Sequence, residues 1–387
     1  DLDLNSGNLK FTLELTTPAC PFNEEIEADV RKAIDELDGI NNLDMNVTAK
    51  VMEGRSLDAD ELMKGVKNII AVASGKGGVG KSFIAANLAI ALAKLGKQVI
   101  VADLDFGGSN LHTCLGIHNT NPGIGDFLRA RYSKLEDLLV ETENENLKFL
   151  AGDVRSPFLA NMHHSQKMRL INNLRQLECE YLILDLGSGS TYNTLDYFGM
   201  TQFGMIITTA EHASTVNMLT FLKLFAFRVI ERSMPKNTFL DEKLRDSYNR
   251  TVMDEVLTVR GLLDEISTID RNVAQKAEQS WIRYRPRIIF NKCNFPNELD
   301  LLGSLENTFN QILMLRSDFF GCLFTDPAVS KTFKERKTLN VAAPNSDILE
   351  DINLLADRVT RLWEQPIRNS ANLLQFNAKN LFEKRQK

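Results

Sequence analysis

The sequence predicts an α/β protein with a doubly wound, mostly parallel sheet and a small α+β domain before it. Three observations carry this prediction. From residue 68 onward, apolar segments of about five residues alternate with helical patterns, the order typical of a parallel sheet covered by helices on both faces. A glycine-rich loop directly follows the first of these segments. Before residue 68, two segments of alternating polarity flank a single amphipathic helix.

Composition places the chain among ordinary globular proteins. It has 387 residues, of which 43% are hydrophobic and 25% are charged, and its net charge is −6. At roughly 150 residues per domain, two to three domains are expected. An acidic chain is a poor candidate for coating nucleic acid. Five widely spaced cysteines argue against a disulfide framework. With no visible signal peptide, we expect a cytoplasmic protein, with a peripheral position at the inner membrane face as an option.

Residues 1–67 are predicted to form the small α+β domain and a linker. Alternation over 9–15 and again over 45–51 indicates two strands with one buried face each. Between them, Ile26, Val30, Ile34 and Leu37 recur at helical spacing, which predicts a helix over 23–38. Gly39 suits the end of that helix.

Residues 68–363 are predicted to form the main domain. Its strands are expected at 69–73, 98–103, 147–150, 181–185, 204–208, 287–291 and 319–324. Its helices are expected near 82–95, 163–177, 213–232, 298–314, 326–336 and 346–363. Residues 233–285 exceed the usual length of a crossover connection, so they are predicted to be an insertion, most simply of two helices.

The glycine-rich loop has the pattern of a phosphate-binding loop. Residues 75–82 fit G-x-x-x-x-G-K-[ST] between a strand and a helix rich in Ala and Leu. Glycines let the backbone curl so that successive N–H groups face phosphate oxygens, and the helix N-terminus adds its positive dipole end. The predicted nucleotide-binding residues of the loop are Gly75, Lys76, Gly77, Gly78, Val79, Gly80, Lys81 and Ser82.

Individual side chains in this loop have separate predicted roles. Lys81 is expected to reach the β- and γ-phosphates, and the Ser82 hydroxyl is expected to bind Mg²⁺. Lys76 lies at the start of the loop, where a cation could reach the nucleotide of a neighbouring subunit and neutralise charge during phosphoryl transfer. The alternative for Lys76 is a solvated surface lysine.

The segment Lys76–Ser82 resembles the deviant Walker A motif of MinD/ParA/Mrp-class ATPases, and the similarity spans about residues 68–363. The resemblance implies ATP and Mg²⁺ as ligands, ATP hydrolysis, and an ATP-dependent homodimer. It also implies that Lys76 is the signature lysine that acts across the dimer and that Lys81 is the Walker lysine.

Two strand ends add carboxylates beside the loop. Asp103 and Asp105 follow one strand, where such groups can hold Mg²⁺-bound water and orient an attacking water. In the resembling family, the residue matching Asp105 positions the nucleophile; for Asp103 the alternative is a turn cap. Asp185 ends an apolar strand in the Walker B manner and is predicted to support Mg²⁺. The predicted catalytic residues are Lys76, Lys81 and Asp105, and the predicted metal residues are Ser82, Asp103 and Asp185.

Three further residues are predicted to contact the nucleotide. Gly189 aligns with the family's switch glycine, whose N–H senses the γ-phosphate. Gly187 stands where most relatives have proline, which departs from the family pattern. Asn291 ends a late strand, and its amide can match the edge of adenine. Pro344 resembles a residue in the family loop that packs on the base; ordinary turn chemistry is the alternative for Asn291 and Pro344.

The N-terminal segment suggests a second resemblance. Residues 9–52, including the run Thr17-Pro18-Ala19-Cys20-Pro21, resemble the MIP18-like domain that precedes the ATPase in Mrp-like iron–sulfur carriers. Such carriers use a C-x-x-C pair in the ATPase domain, and this chain contains none. A [4Fe-4S] cluster is therefore disfavoured, and Cys293 and Cys322 could serve it only if they converge. Otherwise they are inert core thiols.

The end of the chain, residues 364–387, is predicted to form a basic amphipathic tail. Residues 370–387 repeat apolar side chains at helical spacing and carry Lys379, Lys384, Arg385 and Lys387 against Glu383. Such a tail can bind an anionic membrane surface. The alternative is a helix that packs on its own domain.

The function predicted from these features is an ATP-hydrolysing dimerisation switch of the MinD/ParA/Mrp class. A regulatory or positioning role is favoured because the core, including Asn110-Leu111, looks like MinD and the flagellar-number regulator FlhG. The alternative is an Mrp-like iron–sulfur scaffold or carrier. A protein partner is expected to dock at the N-terminal domain or at the insertion.

Overall fold

The computed structural model describes residues 2–5, 8–15, 34, 42–49, 65–118, 120–152, 162–235 and 258–386. The chain forms two compact units, Asp1–Lys64 and Gly65–Lys387. The predicted boundary after residue 67 falls inside the first strand of the second unit, Val66–Ala73.

The first unit contains a three-stranded sheet. Its strands are β1 (Leu2–Asn5), β2 (Asn8–Leu15) and β3 (Asn42–Ala49). β1 pairs antiparallel with β2, and β2 pairs parallel with β3. The two predicted strands are present, and β1 was not predicted. Ile34 has helical conformation; the rest of the predicted helix, and Cys20, lie outside the described residues.

The second unit is built on an eight-stranded sheet, which confirms the predicted fold class. All seven predicted strands are present, and the order across the sheet is β11-β10-β9-β4-β8-β5-β7-β6. Only the unpredicted β6 pairs antiparallel, against β7, within the described part of this sheet. The strands are β4 (Val66–Ala73), β5 (Val99–Leu104), β6 (Leu139–Glu141), β7 (Leu147–Leu150), β8 (Cys179–Leu186), β9 (Met205–Thr208), β10 (Arg287–Cys293) and β11 (Asp318–Phe324).

Thirteen α-helices lie in the described part of this unit. They are α1 (Lys81–Lys94), α2 (Leu111–Cys114), α3 (Ile124–Leu128), α4 (His164–Gln176), α5 (Tyr192–Phe198), α6 (His212–Ser233), α7 (Val259–Ile269), α8 (Arg271–Ile282), α9 (Leu302–Thr308), α10 (Ala328–Glu335), α11 (Leu339–Ala342), α12 (Asp347–Leu362) and α13 (Ser370–Arg385). α7 and α8 are two helices within the predicted insertion, whose residues 236–257 are not described.

The predicted single helix over 298–314 is a composite. A 3₁₀ turn (Pro296–Leu301) leads into α9, and a π turn (Phe309–Leu313) follows it. The wider π turn allows both Phe309 and Leu313 to be buried in the core. The pattern of apolar residues indicated a helix but could not show this change in hydrogen bonding.

Two apolar layers cover the faces of the sheet. α1 and α12 pack on one face, and α6, α8 and α13 contribute to the core on the other. In the second layer, the Trp281 indole packs edge-on against the Phe225 ring and donates a hydrogen bond to the Leu313 carbonyl at 2.7 Å. By length and hydropathy alone, α6 could also cross a membrane, but half of its most apolar stretch is buried inside the protein.

The outer edge of the sheet, along β11, is closed by side chains. The Ser370 hydroxyl accepts a hydrogen bond from the Phe319 amide, and the Asp351 carboxylate accepts one from the Phe324 amide. The Arg358 guanidinium donates to the Phe320 carbonyl at 2.6 Å. These backbone groups would otherwise be free to pair with another strand.

The tail helix α13 lies on its own unit. Leu374 and Ala378 are buried in the core, and Arg385 forms ion pairs with Asp351 and Glu350 of α12. This placement matches the packing alternative in the sequence analysis. Contact of the tail with a membrane stays a prediction.

Candidate functional site

A cavity at the carboxyl ends of the central strands surrounds the predicted phosphate loop. It encloses about 710 Å³ and is lined by the loop, by Asp105 and by residues of β10, β11 and α10. The loop leaves β4 between β8 and β9 and enters α1. Open α/β sheets bind ligands in such a crevice, where the connections change direction.

The phosphate loop is held by residues of β10. The Asn291 side-chain amide donates to the Val79 carbonyl at 2.8 Å, and the Lys292 ammonium donates to the Gly78 carbonyl at 2.8 Å. Gly80 has a φ of +91°, and a Cβ on it would lie 2.3 Å from Nδ2 of Asn291. Position 80 therefore requires glycine, because its backbone is left-handed and the Asn291 side chain approaches it closely. Asn291 also lines the cavity, and its contact with adenine stays a prediction.

Lys81 and Asp185 form a buried ion pair at the base of the cavity. The Lys81 ammonium lies 2.5 Å from Oδ1 of Asp185, and both side chains are almost fully buried. Burial raises the pKa of Asp185, while Lys81 and a hydrogen bond from the Ser82 hydroxyl oppose that rise. The structure thus brings together three predicted residues in one charged cluster.

The same cluster fits a hard divalent cation. Oδ2 of Asp185 is buried and has no hydrogen-bond partner among the described residues, and Ser82 lies beside it. Oxygen donors of this kind are those that Mg²⁺ uses. Ser82 and Asp185 are therefore the residues that would hold the ion.

Asp103 has a different environment from the one its predicted metal role requires. Oδ2 accepts hydrogen bonds from the Ser109 hydroxyl and the Leu111 amide, and Oδ1 accepts one from the Asp105 amide. Burial and the nearby Asp185 carboxylate raise the pKa of Asp103 to about 7. Asp103 anchors the loop after β5, which matches the turn-cap alternative.

Asp105 presents its carboxylate to the cavity. Its carboxylate accepts no hydrogen bond from the part of the chain that the structure describes, and its Oδ2 lies 3.9 Å from the Lys81 ammonium. It faces the cavity, with its side chain one-quarter exposed. A carboxylate with free oxygens can orient a nucleophilic water.

Two predicted loop residues have intramolecular partners. The Lys76 ammonium lies 3.1 Å from a carboxylate oxygen of Glu211, the residue before α6. The Gly189 amide, predicted to sense the γ-phosphate, donates to the Ser74 carbonyl at 2.9 Å. Both contacts must open before these residues can act in their predicted roles. Gly75 lies against α6, since a Cβ on it would be 2.3 Å from the Asn217 carbonyl oxygen.

The opposite end of the cavity is apolar and was missed by sequence reasoning. Its side chains come from α1, β11, α10 and α12 and suit a planar group: Phe83, Phe324, Val329, Phe333 and Ile348. Asp326 links two of these elements by accepting hydrogen bonds from the amides of Ala328 and Ile348. Pro344 is exposed in the turn before α12 and is not among the described residues that line the cavity.

The cysteines of β10 and β11 converge. The Cys322 thiol hydrogen-bonds with the Cys293 thiol, and this contact together with burial raises the pKa of Cys322. Cys293 is fully buried. Within the described ranges, no three His, Cys, Asp or Glu side chains form a group able to hold a metal ion. Burial also raises the pKa of Cys114 to about 12, so this thiol at the cavity wall is unreactive.

The sheet order, the loop held over α1 and the Lys81–Asp185–Ser82 cluster together define a P-loop nucleotide-binding protein. Comparison with protein families agrees with this class. Residues 65–228 match a ParA family described as NUBPL iron-transfer P-loop NTPase, and residues 1–47 match an iron–sulfur cluster assembly protein family.

Two curated relatives are similar to this chain over more than half of its length. The chain is 33% identical over 233 residues to an iron–sulfur cluster carrier protein of Synechocystis, covering 58% of this chain and 64% of that protein. It is 30% identical to a carrier of the same name from Pseudomonas fragi, covering 51% of this chain and 68% of that protein. The chain belongs to the MinD/ParA/Mrp family of P-loop ATPases.

The solved structures agree on the fold. The cell division ATPase MinD of Pyrococcus furiosus superimposes with a TM-score of 0.51 at 15% identity, covering 76% of this chain and 99% of that one. The chain spans between 43% and 64% of the length of three curated relatives, the Synechocystis carrier among them.

Proposed function

We propose that this chain is an ATP-hydrolysing dimeric switch that assembles or carries iron–sulfur clusters. The observation that carries the proposal is the charged cavity around Lys81 and Asp185, in a chain whose first 47 residues match an iron–sulfur assembly family. The names of the relatives support the carrier function, which the sequence analysis placed second to a positioning role.

Each group of residues in the cavity has a separate role in ATP binding and hydrolysis. Lys81 exchanges part of its contact with Asp185 for the β- and γ-phosphates of ATP. Ser82 and Asp185 would hold Mg²⁺, which would supply positive charge to the phosphate oxygens. Asp105 orients the attacking water. The apolar side chains around Phe333 and Ile348 enclose the base.

Dimerisation completes the switch. Lys76 releases Glu211 and reaches the nucleotide of the second copy, where its charge stabilises the transition state. The Gly189 amide leaves the Ser74 carbonyl and contacts the γ-phosphate. Two arrangements of these loops, selected by the γ-phosphate, are the physical basis of a nucleotide switch.

The cluster is cargo in this proposal, and two sets of cysteines are its candidate ligands. Two copies of the Cys293–Cys322 pair carry four thiols, the number that a [4Fe-4S] cluster takes, but the burial of Cys293 in β10 disfavours this pair. Cys20, in the iron–sulfur assembly segment, is the other candidate.

Iron and acid-labile sulfide per chain, measured after anaerobic reconstitution, test the carrier function. We expect a stoichiometric cluster in the wild type and its loss in Cys20→Ala or in Cys293→Ala/Cys322→Ala. Cys179→Ala is the matched control, because Cys179 is buried in another strand. A wild type that takes up no cluster would overturn the carrier function and leave a positioning switch as the better interpretation of the ATPase.

A further inference from the structure

A second polar cavity lies away from the nucleotide site, on the helical layer formed by α4, α5, α6 and the end of α8. It encloses about 280 Å³ and shares no lining residue with the nucleotide cavity. Four guanidinium groups line it, those of Arg175, Arg228, Arg232 and Arg283. We call it the arginine cavity.

One buried carboxylate organises part of this cluster. Asp196 is almost fully buried and pairs with the Lys167 ammonium, with Nε and Nη2 of Arg228 at 2.8 and 3.0 Å, and with Nη1 of Arg232 at 3.2 Å. Burial opposes ionisation, but the hydrogen bonds from Arg228 and Lys167 hold the pKa of Asp196 below its ordinary value. Asp196 therefore remains charged and fixes two arginines in place.

The other two arginines of the cavity have no carboxylate partner among the described residues. Arg175 and Arg283 make no side-chain hydrogen bond or ion pair with the described residues, and both are exposed at the rim. Their positive charges act on the Tyr284 hydroxyl, which also lines the cavity, and they oppose the rise in its pKa that burial causes. Glu231 is the other nearby carboxylate, and it is paired with Arg228.

Positive charge thus exceeds negative charge at this cavity. Five cations surround it if Lys167 is included, against the carboxylates of Asp196 and Glu231. Guanidinium groups bind phosphate and carboxylate oxygens by paired, charge-assisted hydrogen bonds. The volume is at the lower end of the range for small-molecule pockets, so the ligand must be compact.

We propose that the arginine cavity binds a compact multivalent anion of the phosphate class, separate from the nucleotide. Arg232, preset by Asp196 through Nη1 alone, contacts the anion, and Arg228 adds its positive charge from the inner wall. Arg175 and Arg283 close on it from the rim. Ser280 and Tyr284 add hydroxyl groups for hydrogen bonding.

Isothermal titration with inorganic pyrophosphate tests this proposal. The full chain is first saturated with ADP in Mg²⁺-free buffer, so that the phosphate loop is filled. We expect one equivalent to bind, with an affinity that falls as salt rises. Arg175→Gln/Arg283→Gln should bind at least about tenfold more weakly, because charge-assisted hydrogen bonds are lost from an open rim.

The matched control is Arg271→Gln/Arg361→Gln, which removes the same charge from exposed positions outside the cavity. It should bind pyrophosphate as the wild type does, and thermal unfolding should show that both double variants are folded. No binding at millimolar pyrophosphate, equal affinity in the rim variant, or an equal loss in the control would each overturn the proposal. Binding of a glutamate-rich peptide without binding of pyrophosphate would also overturn it and indicate a peptide-docking surface.

Discussion

The Lys76 ammonium, at the start of the phosphate loop, and the Glu211 carboxylate of the same chain lie 3.1 Å apart. This ion pair holds in one copy the lysine that we propose acts on the other. Both side chains are partly exposed, so solvent screens the pair and its free energy is small. Breaking it would therefore add only a small free-energy cost to the proposed dimerisation.

Glu211→Gln is expected to favour the ATP-dependent dimer. Releasing Lys76 should raise the dimer association constant with ATP by up to about fivefold for each ion pair that dimerisation would break, the upper range for an exposed pair, and so raise the dimer fraction. Light scattering after size-exclusion chromatography measures this fraction. His212→Gln serves as a neighbouring control. A dimer fraction that falls in Glu211→Gln would show that Glu211 supports the dimer.

Asp105→Ala is expected to separate ATP binding from hydrolysis. Its carboxylate accepts no hydrogen bond from the described residues, and its contact with the Lys81 ammonium is a long one of 3.9 Å. We expect turnover to fall by about 10²–10⁴-fold, as for loss of a group that positions a proton-transfer partner, with ATP affinity nearly unchanged. Steady-state phosphate release and fluorescent-ATP titration measure the two quantities. Normal turnover in this variant would rule out the assigned role, and Asp137→Ala, on the exposed surface, is the control.

Gly80→Ala and Gly96→Ala form a matched pair. Both glycines have positive φ, +91° and +78°, but a Cβ at Gly80 would meet Asn291, whereas nothing lies within 4 Å of one at Gly96. Both variants should lose about 1 kcal/mol of unfolding free energy from backbone strain. Only Gly80→Ala should also lose nucleotide affinity, by at least about tenfold. Urea unfolding and nucleotide titration distinguish the two effects, and equal affinities would argue against a tight loop–Asn291 contact.

The ionisation of Asp196 makes the free energy of unfolding depend on pH in the acid range. Its pKa is lowered in the folded chain, so the unfolded chain takes up the proton first as the pH falls. The stabilisation by Asp196 is complete above the pKa that this carboxyl has in the unfolded chain, about 3.9. It is lost as the pH falls further, through the lower pKa of Asp196 in the folded chain.

Urea unfolding of Asp196→Asn between pH 6 and pH 2 tests this linkage. At pH 6 the variant should be about 3–5 kcal/mol less stable, because Arg228 and Lys167 lose a buried partner. The difference in unfolding free energy between the variant and the wild type should narrow at the acid end of this pH range. A gap that does not change with pH would show that Asp196 does not titrate in this range.

The strands of the second unit were predictable because each is a short apolar run between clear turn signals. The helix over 298–314 was predicted with the wrong internal structure, because a π turn changes the hydrogen bonds while keeping the apolar pattern. β6 has three residues and α5 has seven, and such short elements leave too little periodicity to detect.

The candidate site was predictable where a contiguous motif carried it and not elsewhere. Residues 75–82, Asp105 and Asp185 follow strands whose ends meet at one edge of the sheet. The apolar end of the cavity comes from Phe83 and Phe333, which are far apart in sequence and which no local pattern links. The arginine cavity joins Asp196 to Arg228 and Arg232, a pairing that only the tertiary fold reveals.

The closed outer edge of β11 limits how copies of this chain can associate. Ser370, Arg358 and Asp351 occupy backbone groups that an incoming strand would need. A second copy would have to displace these contacts to lengthen the sheet from this side, which disfavours edge-to-edge association. The helices that carry these three side chains keep this edge of the sheet covered. Deleting residues 370–387 removes Ser370, and we expect aggregation to be the first effect of this deletion.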